Sequence, residues 1–76
     1  MVAQQKHATA ENFVTWERKA KAMTDAGLEW SMKDCRETAA IQPWNECYYL
    51  DEFATYSMEL RKRQAKRAKR NRHAIV

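Results

Sequence analysis

Glycine and proline are nearly absent, at one of each in 76 residues. Hairpins and tight turns lean on both, so an all-β domain is excluded and the chain reads as all-α. No run approaches the ~18 apolar residues of a membrane-spanning helix. Residues 1–7 hold no apolar segment of a secretion signal, so the expected setting is cytoplasmic, with no membrane span. Cysteine is limited to Cys35 and Cys47, expected there as reduced thiols. Leu, Ile, Val and Phe supply only ten residues, about 13%, below the ~20% that accompanies disorder. Three Trp, three Tyr and four Met offset that shortage, because each aromatic ring buries a large area. The expectation is a folded body between mobile ends, with a core thin enough that a homo-oligomer would supply burial the monomer lacks.

The parts of a catalytic site are also missing. Both histidines, His7 and His73, fall close to the chain ends, away from any rigid pocket. No glycine-rich loop exists to cradle a phosphate, and no Cys/His spacing matches a zinc site. Asp51, Glu52 and Glu59 read as acids on a helix surface. No catalytic residue, cofactor or metal is therefore expected, and the chain is read as a non-enzymatic protein. Cys35 falls on an apolar stripe and reads as a small buried hydrophobe. Cys47 falls in the first turn of a helix and reads as a structural thiol, although a helix N-terminus can activate such a group. A thiol-dependent activity, or a redox pairing with Cys35, would have to start there.

What the sequence does contain is three helices in a row. Thr9 caps the first, with Glu11 in its first turn. Phe13, Trp16, Ala20 and Met23 then recur at helical spacing on one face. Thr24 and Asp25 are a second start signal, although Gly27 could instead close the first helix. Leu28, Met32, Cys35 and Ala39 form the next stripe, on a helix expected from about Asp25 to Ala40. Glu17 with Lys21, and Glu29 with Lys33, are favourable pairs one turn apart on the outer faces. Pro43 ends the second helix and suits the first turn of a third. There the predicted inward stripe is Tyr49, Phe53, Tyr56 and Leu60, widened by Leu50, Ala54 and Ser57. The organisation is a flexible lead-in at 1–8, a three-helix domain at 9–60 and a basic arm at 61–76.

That arm carries the strongest signal. Arg61, Lys62, Arg63, Lys66, Arg67, Lys69, Arg70 and Arg72 crowd into twelve positions, and no acid follows Glu59. Ten acids against six Lys or Arg leave residues 1–60 at −4, and the eight later cations make +8, matching the overall +4. Helix propensity persists to about Arg70, so the third helix is expected to project past the core, fraying through like-charge repulsion when alone. Cations in such a run can each meet a phosphate and release its counterions. No spacing in it reads bases, so nucleic acid or another polyanion would be bound without sequence specificity. The acidic body, including Asp25, Glu29, Asp34 and Glu37, is a competing partner for the arm, in the same subunit or a neighbour.

Three aromatics fall off the inward stripes. Trp30 is ~200° from both Leu28 and Met32 on the helical wheel. Either the third helix covers it, or it is an exposed anchor for a partner. Trp44 and Tyr48 form a similar pair one turn apart, and Met58 also points away. Together they predict a protein interface. The segments Trp16–Leu28, Lys33-Asp34-Cys35-Arg36-Glu37, Tyr48-Tyr49-Leu50-Asp51-Glu52 and Glu59-Leu60-Arg61-Lys62-Arg63 resemble small helical accessory proteins encoded by tailed phages, over roughly residues 12–64. The resemblance implies a bacterial cytoplasm or a virion as the setting. It also implies a host or virion protein as the alternative partner, and it carries no site residues.

Overall fold

The computed structural model describes residues 6–74. Positions 1–5 of the expected lead-in and 75–76 of the arm lie outside the described residues, as does the side chain of Arg72. Among the described residues there are three α-helices, one 3-10 turn and no strand.

Both threonine start signals operate. Thr9 opens α1 (Ala10–Ala22). Its hydroxyl accepts the Asn12 N–H at 3.2 Å, and the Asn12 side chain accepts the Thr9 N–H at 2.9 Å. This reciprocal cap satisfies two donors that a helix start otherwise leaves open. Thr24 opens α2 (Asp25–Ile41), its hydroxyl accepting the Gly27 N–H at 3.1 Å. Only Met23 and Thr24, both extended, separate the helices. Gly27 therefore lies in the first turn of α2 and does not close α1. After Gln42 the chain makes a 3-10 turn over Pro43–Asn45, pinned by an Asn45 amide donating to Gln42 Oε1 at 2.9 Å. The third helix, α3 (Glu46–Ala74), follows at once.

The other two helices both pack on α3. The Lys6 N–H donates to the Trp44 carbonyl at 3.1 Å, which sets the approach to α1 beside the start of α3. Arg63, far along α3, reaches the last carbonyls of α1. The first helix thus runs alongside α3 in the same direction, and α2 runs back against both. At 29 residues, α3 is about 44 Å long. The radius of gyration is 15.4 Å, against about 11 Å for a compact domain of this length. The extra length is α3 continuing past the ends of its neighbours.

The core is Trp16 and Ala20 from α1, Leu28 and Cys35 from α2, and Tyr56 from α3, with Met23, Met32, Tyr48, Phe53 and Leu60 packed around them. The rings of Phe13 and Tyr48 stand edge-on to Trp16, with centroids 5.4 and 5.1 Å away. Three expectations need correction. Residues 6–8 are not a free lead-in: Ala8 packs on the core, and the Lys6 ammonium lies 4.2 Å from the centre of the Tyr48 ring. The inward face of α3 keeps Phe53, Tyr56 and Leu60 of the predicted stripe but is rotated toward Tyr48, Glu52 and Thr55, leaving Leu50 and Ala54 exposed. Trp16 causes that turn, because its ring packs on Tyr48 rather than Tyr49. Glu52 and Glu59 are consequently not surface acids. Glu52 accepts the Tyr56 hydroxyl at 2.7 Å, and the half-buried Glu59 lies 3.9 Å from Arg63.

Candidate functional site

Seven of the eight predicted cations have described side chains, and these divide into two groups. Arg63 and Arg67 turn back onto the body. The Arg63 side chain is only 21% exposed. Its Nη1 donates to Asp25 Oδ1 at 2.9 Å, and its Nη2 donates to the carbonyls of Ala20 and Lys21 at 3.0 and 3.4 Å. The planar guanidinium therefore joins two carbonyls at the end of α1 and an acid in the first turn of α2. Arg67 Nη2 donates to the other Asp25 oxygen. The two guanidinium groups, Arg67 first, hold the Asp25 carboxyl below its ordinary value of 3.8.

Arg61, Lys62, Lys66, Lys69 and Arg70 are exposed. At 100° per residue these five spread over about half the circumference of α3. Arg63 and Arg67 fall on the other half, toward the α1–α2 junction, together with uncharged Gln64 and Ala68. The run was expected to present no fixed face. It presents one, because Arg63 and Arg67 are drawn to Asp25 while Gln64 and Ala68, four positions apart, leave the rest of that half uncharged. Acids do not interrupt the exposed side, so its field is of one sign.

The three aromatic candidates also separate. Trp30 is 69% exposed and Trp44 is 55% exposed. The third helix does not cover Trp30. Tyr48 is half-buried between Trp16 and Tyr49, and belongs to the core rather than to a free surface. Met58 is also 69% exposed.

Cys35 is buried, as its place on the stripe predicts. Burial, and next the Glu52 carboxylate, push its thiol up to about 12. A thiol so disfavoured as thiolate is a poor nucleophile. In a Cys47→Ser protein, Cys35 should react with iodoacetamide at mildly alkaline pH no faster than the chain unfolds, so labelling should climb steeply with urea. Prompt labelling in buffer would show that solvent reaches it.

Among the described residues no cluster of three His, Cys, Asp or Glu could hold a metal ion. None of the helices is long and apolar enough to cross a membrane. No family model, curated protein or solved structure matches this chain.

Proposed function

We propose that this chain is a non-enzymatic binding protein whose basic arm engages nucleic acid or another polyanion without reading sequence. The observation that carries the proposal is the exposed side of α3 from Arg61 to Arg70, with five cations, no acid and a helical frame. A helix surface of this kind can lie along a phosphate backbone while Arg63 and Arg67 tie the opposite side to the body. Arg63 and Arg67 are held by Asp25, so they contribute to the field but form few phosphate contacts of their own. The described contact set is thus five residues, to which Arg72 adds.

Salt titration tests the proposal. With about 0.9 counterion released per phosphate contact on duplex DNA, log K against log salt should fall with a slope of roughly −4 to −5. Unrelated duplexes of equal length should bind alike. The triple substitution Lys66→Gln, Lys69→Gln, Arg70→Gln should flatten that slope by nearly three. A slope near zero for the wild type would overturn the reading.

A second reading draws on the exposure of Trp30 and Trp44. On it, the chain is an accessory protein of the phage type that docks on a host or virion protein through these rings, and the arm only steers the encounter. Retention of a partner from nuclease-treated bacterial lysate, lost on Trp30→Ala, would favour it over the first.

A further inference from the structure

On α2, Trp30, Asp34, Glu37 and Ile41 recur at spacings of four, three and four, which places them on one stripe. All four are exposed, Trp30 by 69% and Ile41 by 74%. A second surface is a groove of about 590 Å³ between α1 and α3. Phe13, Ala54 and Met58 give it an apolar floor, and Lys21, Arg61 and Lys62 give it a basic rim. Two acids also line it: Glu17, which is exposed, and Glu59, which lies 3.9 Å from Arg63.

We propose that the α2 stripe of one copy seats in the α1–α3 groove of the next, joining copies of this chain head to tail. The register matches turn for turn. Asp34 lies one turn beyond Trp30, and Lys62 lies one turn beyond Met58. An indole placed against Phe13 and Met58 therefore brings Asp34 to Lys62, with α2 parallel to the receiving α3. In that register Glu37 falls beside Ala65 and Lys66 and Ile41 beside Lys69, so the stripe, about 16 Å long, leaves the groove at Lys62 and continues along the arm.

Charge selects this pairing over the symmetric ones. Two α2 stripes packed antiparallel about their middle would set Asp34 against Glu37 of the partner subunit. Two grooves packed together would set basic rim on basic rim. Like charges in apposition disfavour both. The Lys33–Glu37 pair, at 3.9 Å with both side chains mostly exposed, is a weak surface contact that Glu37 can exchange. A contact between two different faces does not close on itself at two copies, so it builds rows or rings. Arg70 lies off that line on α3 and would be displayed at each repeat.

The inference rests on the reading of Trp30 as an interface residue and not on polyanion binding. A flat salt titration would leave it standing, and a failure here would leave the arm's reading intact. The test is sedimentation of the full chain at low salt without nucleic acid. The wild-type mass should rise above 9.0 kDa with concentration, and Trp30→Ala should weaken that rise. Asp34→Lys/Glu37→Lys and Arg61→Glu/Lys62→Glu should each remain at the monomer mass. Mixed in equal amounts, the two charge-reversed proteins should associate again, because every stripe then has an oppositely charged groove to enter. A wild type that stays at 9.0 kDa would assign the two faces to other proteins and overturn the pairing. Variants that associate as the wild type does, or a mixture that stays monomeric, would overturn it equally.

Discussion

Trp16→Ala is expected to leave the chain largely unfolded in buffer at room temperature. The ring is 4% exposed and stands edge-on to both Phe13 and Tyr48. Removing a buried aromatic of this size costs about 3–5 kcal/mol. A folded chain of 76 residues has about 4–11 kcal/mol in total, and this core holds few other large buried side chains. Among the described residues Tyr56 and Leu28 are the largest fully enclosed side chains. The loss concentrates on α1, whose other buried residue, Ala20, is too small to hold the helix on α3. Urea unfolding followed by the helical signal should show the midpoint collapsing toward zero denaturant. In dilute solution Trp30→Ala is the control, since an exposed ring contributes within about 0.5 kcal/mol of nothing to the monomer. Equal midpoints for the two variants would show that the core is not centred on Trp16.

The two rings illustrate what a sequence of this kind discloses. Local chemistry was legible. Thr9 and Thr24 announced their helices because a cap and the residue it serves are three positions apart. Trp16, Leu28, Cys35 and Tyr56 fell on the stripes that became the core, since helical period alone selects them. The outward direction of Trp30 was legible for the same reason. Whether a neighbouring helix covered it was not, because cover depends on the angle at which α3 passes.

Non-local pairing was legible only as a list of options. The acids of the body were candidates for holding the arm, yet nothing near Arg63 singles out Asp25, 38 positions away. The exact rotation of α3 was missed for a related reason, although Phe53, Tyr56 and Leu60 of its predicted stripe do meet the core. Tyr48 and Tyr49 are adjacent and identical, and the choice between them is made by Trp16 from another helix. Glu52 and Glu59 looked like solvent acids because their partners, Tyr56 and Arg63, lie one turn away on the same helix. Such pairs are common on exposed faces, and the sequence does not record that this face is turned inward.

Arg63→Ala should be the most damaging substitution among the cations, at about 2–3 kcal/mol, because hydrogen bonds to charged groups contribute about 1.5–3 kcal/mol. The change removes the donor at the end of α1, leaves Asp25 to Arg67 alone and leaves Glu59 half-buried without its neighbour. Arg63→Lys should recover less than half of this, since a single ammonium cannot span the carboxylate and two carbonyls that the planar fork reaches. Arg67→Ala, at a side chain 58% exposed, should cost less than about 1 kcal/mol. The same cluster fixes an acid dependence. The folded pKa of Asp25 is lowered below 3.8, by Arg67 and then Arg63, so the stabilisation is present above 3.8 and disappears as pH falls through the folded value. Asp25→Asn should remove that part of the acid limb from a stability–pH curve, and an unchanged limb would place the titration elsewhere. A chain cut after Leu60 loses Arg63 and Arg67 along with the exposed cations. Its weakened polyanion binding would then mix a loosened body with a missing charge. Only substitutions on the exposed side of α3, with both clamping arginines left in place, separate the two causes.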